Sequence, residues 1–376
     1  MTEYRKQGTD LSAWGPPYAM LEFFAGSGLV SCGLQGLFDS VWANDICEKK
    51  AAVYRANSKE DHFVLEDICN VSGRNLPAAH VSWASFPCQD LSLAGLSGGI
   101  HASRSGLVWE WLRVMREMPV RPKLLVAENV AGLVSRNNGA DYRQLHEALV
   151  REGYRVGAVM LDASLFVPQS RPRIFVIAVD RSVIIPEELI ANGPNWLHPK
   201  ALRRAAEGLS NWVWWQAAQP PSRSVTLESI LEDLPYDQSV AKKNLAILSP
   251  KHKAMLDEAE SIIACGYRRT RFGKQVLELR FDGLAGCLRT PEGGSSRQFV
   301  VRKKSGEISL RLLSARETAR LMGAPDDFLL PERYNDAYKA MGDAVAAPVA
   351  RFLGENFLMR LSEAAYNEPS GTVATA

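Results

Sequence analysis

A regular alternation of short apolar runs and amphipathic segments over residues 18–179 restricts the fold of this chain more than any other feature. The apolar runs have the length of buried strands, and the segments between them have the spacing of helices. Strands that alternate with helices form a mostly parallel sheet with helices on both faces. The sequence therefore predicts an α/β fold that binds ligands beyond the carboxyl ends of its strands.

Seven strands and four helices are predicted in this part of the chain. The predicted strands are Tyr18–Phe24, Ser40–Asn44, Phe63–Ile68, His80–Phe86, Leu124–Val130, Arg155–Leu161 and Ile174–Val179. The predicted helices are Leu29–Phe38, Glu48–Asn57, Gly106–Met118 and Asp141–Glu152.

The alternation stops after Asp180, which predicts a change of domain. We expect a polar lead-in (1–17), a large domain (18–185), a smaller irregular domain (186–334), a helical segment that packs back on the large domain (335–366) and a disordered tail (367–376). Helical patterning over Ser314–Met322 belongs to the smaller domain. The tryptophans are expected in the core of that domain rather than as base-stacking platforms; they are Trp212, Trp214 and Trp215.

Composition excludes several classes of protein. The formal net charge of +2 is too small for a polycation, so any contact with nucleic acid requires local basic patches. The six cysteines contain no CxxC pair, which argues against a metal site. A signal peptide and a bilayer-spanning run are not expected. These features indicate a cytoplasmic protein with reduced thiols.

Glycines and acids stand at the ends of the first three predicted strands. Gly26-Ser27-Gly28 follows the first strand and allows a close backbone approach to a ligand. Asp45 ends the second strand, where an acid holds ribose hydroxyls, and Asp67 ends the third. The next glycine is Gly33, so the spacing is not GxGxxG and favours a mononucleoside cofactor such as S-adenosyl-L-methionine over NAD. A glycine turn without a ligand is the alternative.

Three chemically distinct groups lie at other strand ends. Cys88 follows a strand and a proline, and Glu128 closes an apolar strand. Arg171 and Arg173 precede another apolar strand. An inert cysteine and solvated charges are the ordinary alternatives for each residue alone. A thiol, an acid and a cation at three strand ends of one sheet instead indicate nucleophilic catalysis with acid assistance.

On these residues the chain resembles the DNA cytosine-C5 methyltransferase family. Six segments follow the family's order: Glu22–Gly28, Pro87-Cys88-Gln89, Glu128-Asn129-Val130, Gln169-Ser170-Arg171-Pro172-Arg173, Arg311–Gly323 and Gly342-Asp343-Ala344-Val345. The resemblance implies a Rossmann-like methyltransferase fold, with catalysis and cofactor binding in residues 18–185. It also implies that residues 186–334, including Arg311–Gly323, form the target-recognition domain.

The resemblance assigns catalytic roles to four residues. Cys88 adds as a thiolate to C6 of cytosine, which makes C5 nucleophilic. Glu128 hydrogen-bonds or protonates N3, Arg173 binds O2, and Arg171 supports that corner. The target base must be flipped out of the duplex, and the Gly- and Ser-rich segment after Cys88 suits a loop that closes over it. Gln89 and Ser92 are expected to contact DNA.

The family pattern also predicts the pocket for S-adenosyl-L-methionine. Phe24 lies beside the adenine, the glycine turn surrounds the methionine part, Asp45 binds the ribose and Asp67 binds the adenine amine. The full predicted set is Phe24, Gly26, Ser27, Gly28, Asp45, Ile46, Asp67, Ile68, Pro87, Leu107, Ala344 and Val345.

Three positions depart from the family pattern. Asp343 stands where the family usually has Asn, which adds a negative charge expected to weaken cofactor binding unless a cation neutralises it. Cys287 replaces a common Thr, which puts a DNA-backbone contact in doubt. Glu22 stands where Asp is commoner.

A basic stretch from Arg268 to Lys304 is expected to bind DNA. It has ten basic and three acidic residues, a local formal charge of +7 that would bind phosphates in a salt-dependent way. Arginines there are candidates for reading guanine. Arg289, Thr290 and Arg297 are the predicted contacts, with a solvated charged face as the alternative.

The sequence thus predicts a monomeric, cytoplasmic DNA cytosine-C5 methyltransferase, associated with the nucleoid through its double-stranded DNA substrate. The enzyme is expected to be of a restriction–modification or an epigenetic type, and in the first case a restriction endonuclease that acts on the same site is its partner. Neither a membrane nor a metal is expected. A tRNA cytosine-C5 methyltransferase is the nearest alternative, because a branch of the family uses the same motifs on RNA. Two further alternatives are a catalytically inactive DNA-binding relative and a Rossmann-fold dehydrogenase. The glycine spacing and Cys88 argue against the dehydrogenase.

Overall fold

A computed structural model describes residues 11, 15–59, 61–87, 106–290 and 297–366. The described chain divides into two compact units. The first draws on Met1–Leu161, Pro172–Gln219 and Ala350–Ala376, and the second on Asp162–Arg171 and Pro220–Val349. The segment 335–366, predicted to pack back on the large domain, is divided between the two units.

The first unit is built on a seven-stranded sheet with the strand order β3-β2-β1-β4-β5-β7-β6. Strands β1 to β5 pair in parallel with their neighbours, and β7 runs antiparallel to β5. The sheet is therefore mostly parallel, as predicted. Its strands are β1 (Tyr18–Phe23), β2 (Phe38–Asp45), β3 (Phe63–Leu65), β4 (Val81–Ala84), β5 (Leu124–Val130), β6 (Tyr154–Asp162) and β7 (Pro172–Asp180).

Helices surround this sheet because their apolar faces require burial. In α3 the residues Val108, Trp111, Leu112 and Met115 recur at helical spacing and are buried. The indole of Trp111 donates to the hydroxyl of Ser82 in β4 at 2.9 Å, so its polar atom is satisfied inside the core. The helices of this unit are α1 (Leu29–Leu34), α2 (Glu48–Asn57), α3 (Leu107–Glu117), α4 (Gly132–Ser135), α5 (Ala140–Arg151), α6 (Lys200–Ala206) and α12 (Met359–Tyr366).

The tryptophan-rich segment packs in the first unit, which corrects the expectation that it forms the core of the smaller domain. Trp215 is fully buried and contacts Phe357 edge to face at 6.1 Å. Gly157 of β6 makes room for it, because a Cβ there would lie 2.4 Å from the indole nitrogen of Trp215. A contact between residues so distant in sequence leaves no local pattern from which it could be predicted.

The second unit contains a four-stranded antiparallel sheet with the order β11-β10-β8-β9, where the sequence predicted irregular structure. Two hairpins build it, with turns at Phe272-Gly273 and Ser305-Gly306. All four turn residues have positive φ, which is the type I′ geometry of two-residue hairpins. The strands are β8 (Ile262–Arg271), β9 (Lys274–Arg280), β10 (Gln298–Lys304) and β11 (Glu307–Leu312).

The helices of the second unit are α7 (Gln238–Leu245), α8 (Pro250–Glu258), α9 (Ala315–Leu321) and α10 (Tyr334–Asp343). Helix α11 (Ala347–Leu353) has its first residues in the second unit and the rest in the first. A capping box begins α9, because the Ser314 hydroxyl accepts from the Glu317 amide and the Glu317 carboxylate accepts from the Ser314 amide. Within the described ranges, no helix is both long and apolar enough to span a membrane.

Candidate active site

A tight glycine turn follows β1. Phe24, Gly26 and Gly28 all have positive φ, at 54°, 57° and 84°. Two features exclude a side chain at Gly28. Its backbone lies in the left-handed region, and a Cβ there would lie 2.9 Å from the Tyr54 ring. Gly28 therefore permits close packing of the turn on Tyr54, while Gly26 is partly exposed and leaves room for a ligand to approach the backbone.

Asp45 fixes this turn from the end of β2. Its buried carboxylate accepts from the amide of Gly26 at 3.0 Å and from the amide of Cys47 at 2.9 Å. Each carboxylate oxygen retains a further lone pair. Asp45 thus joins the glycine turn to the start of α2 and still has acceptor capacity for a ligand hydroxyl.

Apolar side chains stand exposed next to this acid. The Ile46 side chain is 68% exposed, and Val64 and Leu65 of β3 are also exposed. Asp67 caps a short 3₁₀ helix by accepting from the Cys69 amide at 2.9 Å. An exposed apolar surface between two acids fits an adenosine, which presents a flat ring, ribose hydroxyls and an amine.

The remaining residues predicted for this pocket differ in accessibility. Pro87 is exposed and Leu107, the first residue of α3, is partly buried. Ile68 lies in the hydrophobic core, so little of its side chain is available to a ligand. Its role as a cofactor contact stays a prediction.

Glu128 and Arg173 meet at the end of β5. Val130 of β5 pairs with Arg173 of the antiparallel β7, and the Arg173 side chain reaches back to Glu128. Nε of Arg173 lies 3.2 Å from Oε1 of Glu128, and the two side chains are 15% and 9% exposed. Two groups predicted to bind one cytosine ring are therefore held together in a partly desolvated position.

Asn129 connects this pair to the segment before Cys88, a role that sequence reasoning missed. Its Nδ2 donates to the carbonyl of Phe86 at 3.0 Å, and its Oδ1 accepts from the Val130 amide at 2.9 Å. The side chain is buried, so both bonds are shielded from water. A buried polar residue directly after the predicted acid was the available signal. Cys88, Gln89 and Ser92 lie outside the described residues, as does most of the predicted loop.

Arg171 is a buried organising residue of the second unit. Its guanidinium donates to the carbonyls of Leu288 at 3.0 Å, Gly342 at 3.0 Å and Ala344 at 2.6 Å, and to Sγ of Cys287 at 3.2 Å. These bonds tie two chain segments together. The geometry therefore favours a positioning role for Arg171, and the predicted catalytic role stays a prediction.

Asp343 lies on the exposed side of one of these segments. Its carboxylate accepts a hydrogen bond from the Thr290 hydroxyl. Gly342 permits this contact, because a Cβ there would lie 2.9 Å from the carbonyl carbon of Arg289. The unusual acid therefore has a hydroxyl donor beside it. Ala344 and Val345 follow in the same segment, and their predicted contact with the cofactor stays a prediction.

The predicted DNA-binding arginines have different surroundings. Arg289 is exposed, whereas Arg297 is partly buried with its guanidinium 6.0 Å from the centre of the Tyr334 ring. Elsewhere in the basic stretch, Glu278 lies 3.1 Å from Arg269 and 2.6 Å from Arg271. Glu278 thus neutralises part of the local charge. The assignment of Arg289, Thr290 and Arg297 to DNA binding stays a prediction.

Glu22 is a fully buried acid beneath the glycine turn. It accepts hydrogen bonds from the hydroxyls of Ser31 and Tyr54, while its Oε1 has no partner among the described residues. Burial, reinforced by the charge of Asp45, raises the pKa of Glu22 from 4.5 to about 7. The folded protein therefore retains a proton there that the unfolded chain loses.

Glu22→Gln should remove a pH dependence of stability. Between pH 4.5 and about 7 the folded state binds one more proton at Glu22 than the unfolded state does. The free energy of unfolding of the wild type therefore falls as the pH rises through this range, and Glu22 has no further effect on it above about pH 7. The loss amounts to about 3 kcal/mol at an energy of about 1.4 kcal/mol per pKa unit. The midpoint temperature of Glu22→Gln, compared with that of wild type, should therefore be higher at pH 8 than at pH 5. The exposed Glu363→Gln is the control, and an identical pH profile for wild type and Glu22→Gln would refute the assignment.

The mostly parallel sheet, with acids and a glycine turn at its strand ends, is the architecture of an α/β enzyme. A family model described as C-5 cytosine-specific DNA methylase matches residues 18–358. The chain belongs to that family, and it is a DNA cytosine-C5 methyltransferase. Enzymes of this family use S-adenosyl-L-methionine as the methyl donor.

Individual relatives agree with this membership. The chain is 29% identical over 339 residues to the type II methyltransferase M.Bsp6I of Bacillus sp. (strain RFL6), covering 89% of this chain and 96% of the relative. It is 25% identical to the type II methyltransferase M.HhaI of Haemophilus parahaemolyticus, covering 89% and 93%. The crystal structure of S. pombe Dnmt2 methyltransferase has the same fold, with a TM-score of 0.58, 17% identity and coverage of 90% and 98%.

Proposed function

We propose that this enzyme methylates C5 of a flipped-out cytosine in a specific duplex DNA sequence through a covalent adduct of Cys88. The observation that carries the proposal is the Glu128–Arg173 pair, at 3.2 Å and largely shielded from water. A carboxyl group and a guanidinium held side by side match the N3 and O2 edge of cytosine. The Asn129 bond to Phe86 fixes the chain two residues before Cys88, which supports a thiol delivered to the same base.

The proposed reaction begins with addition of the Cys88 thiolate to C6 of the ring. The electron pair of the C5–C6 double bond shifts through C4 toward N3, where Glu128, in the protonated form that the reaction requires, donates a hydrogen bond or a proton. Arg173 holds O2 and stabilises the charge that accumulates on that edge. C5 is then nucleophilic. After methyl transfer, loss of the C5 proton and departure of the thiolate restore the double bond.

We propose that the glycine turn, Asp45 and Ile46 bind S-adenosyl-L-methionine. When bound, this cofactor supplies an electrophilic methyl group on a sulfonium. Asp45 is already oriented by two backbone amides and accepts ribose hydroxyls with its free lone pairs. Ile46 covers one face of the adenine, and Asp67 accepts from the adenine amine. Gly26, which is partly exposed and has no side chain, leaves the backbone of the turn open to the methionine part.

The biological setting proposed here is a restriction–modification system of the bacterial cytoplasm. The support comes from M.Bsp6I and M.HhaI, which are both named type II methyltransferases and match most of the chain. A specific duplex site that a partner endonuclease would cut is therefore the proposed substrate. Intact Cys88, Glu128 and Arg173 argue against an inactive DNA-binding relative.

Bisulfite sequencing of DNA and tRNA from cells that express the protein tests this proposal. The expected result is protection of cytosines in one short DNA sequence, absent from cells with an empty vector. The same DNA should resist an endonuclease that recognises the mapped sequence. Protection of tRNA cytosines without any DNA methylation would contradict the proposal and favour the tRNA alternative.

A further inference from the structure

The β8–β9 hairpin ends in an aromatic side chain that nothing in the described protein covers. Phe272 is 104% exposed, the largest exposed fraction among the large apolar side chains of the described residues. Residues 270–275 are all exposed, so the end of the hairpin extends beyond the core of its sheet. A large apolar side chain in this position contributes nothing to packing.

The backbone at this position also disfavours phenylalanine. Phe272 has φ of 50° and Gly273 has φ of 75°, the two left-handed residues of a type I′ turn. The first of these positions favours Asn, Asp or Gly, and a bulky residue there is strained. The second hairpin of the same sheet has equivalent geometry at Ser305 and Gly306 but carries a small polar residue. Packing and backbone geometry therefore do not account for a phenylalanine at this position.

Three cations lie on one face of the hairpin, on the strand residues next to the turn. The register pairs Arg271 with Lys274 and Arg269 with Val276, so the three cations share a face with Glu278. Glu278 holds Arg271 at 2.6 Å and Arg269 at 3.1 Å. Three positive charges and one negative charge on this face favour a polyanion as the partner. A partner protein with an apolar surface would bind the Phe272 ring without any need for these cations.

We infer that this hairpin enters a groove of the duplex and that the Phe272 ring stacks against or between bases, while Lys274 and the arginines contact phosphates. A two-stranded ribbon fits the major groove, and apolar wedges such as Phe partly unstack base steps. The inference rests on the proposed function, because an enzyme that flips a base must hold an unstacked duplex.

Phe272→Asn is the decisive variant, because protein stability and DNA affinity should change in opposite directions. Asn suits a type I′ turn, so the midpoint of thermal unfolding should rise or stay level. Affinity for a short fluorescein-labelled duplex of mixed sequence should fall about tenfold or more, as loss of one aromatic stacking contact predicts. Phe272→Trp should retain the affinity. Ser305→Asn makes the same replacement in the matched turn and should leave DNA binding unchanged.

The salt dependence of binding separates stacking from phosphate contact. Phe272→Asn should lower the affinity equally at every salt concentration, whereas Lys274→Ala should reduce the slope of log K against log salt by about one. Unchanged affinity of Phe272→Asn, or an equal loss with Ser305→Asn, would overturn the inference. Methyl transfer by the wild type to unmethylated plasmid DNA is measured in parallel. Its absence would refute the proposed function, whereas its presence with normal binding by Phe272→Asn would refute the wedge alone.

Discussion

Replacement of Cys88 by alanine is expected to abolish methyl transfer while leaving the affinity for duplex DNA largely intact. The physical reason is that C5 of cytosine becomes nucleophilic only after a thiolate has added to C6. Glu128 and Arg173, the other two groups proposed to contact the base, do not supply that electron pair. The loss should therefore appear in the rate of the chemical step, measured with labelled methyl donor on DNA that contains the mapped site.

Cys32→Ala provides the matched control, because Cys32 is a free cysteine of α1 that is not among the residues proposed to bind the base. This variant should retain methyl transfer. A second readout uses a duplex with 5-fluorocytosine at the target position. Elimination of the thiolate requires loss of the C5 substituent as a proton, so wild type and Cys32→Ala should form a stable covalent complex and Cys88→Ala should not. Methyl transfer by Cys88→Ala at a rate near that of the wild type would contradict the covalent mechanism.

The parallel sheet could be predicted because each of its elements has a local signal. Two elements have the predicted bounds, helix Glu48–Asn57 and strand Leu124–Val130. The reason is that the pattern of charged and apolar residues changes abruptly where each of them begins and ends. Strand β3 ends at Leu65 rather than Ile68, because Asp67 caps a 3₁₀ turn instead of continuing the strand. Alternation of strands and helices was thus sufficient for the mostly parallel sheet of the first unit, but not for the packing of the tryptophan-rich segment on it.

The second unit was less predictable because its hairpin turns lack the usual residues. Type I′ turns are most easily recognised as Asn-Gly or Asp-Gly, whereas this sheet uses Phe272-Gly273 and Ser305-Gly306. Similarly, the buried bonds of Arg171 depend on segments more than a hundred residues away in sequence. The family pattern identified Arg171 as important, but only its surroundings indicate that it organises backbone.

Neutralising either member of the Glu128–Arg173 pair is expected to lower the turnover number about a hundredfold or more, because each contacts the ring edge where charge develops. Glu128→Gln removes the proton donor, and Arg173→Met removes the cation at O2. Arg173→Met should also destabilise the protein, since it removes the guanidinium beside a carboxylate that is only 9% exposed. Arg173→Lys keeps the charge but loses the planar fork, so its activity should lie in between.

The double variant Glu128→Gln/Arg173→Met separates catalysis from folding. It removes both charges and leaves no unpaired ion, so its stability should recover relative to Arg173→Met. Its turnover should not recover, because neither group at the ring edge has been restored. Arg311→Met is the control, since Arg311 is also 15% exposed and lies 2.6 Å from the buried Glu317. That variant should lose stability but keep its turnover number at a temperature where it is folded and saturated with DNA. Recovery of turnover in the double variant would show that Glu128 and Arg173 form only a structural ion pair, and the proposed contacts with N3 and O2 would then have to be abandoned.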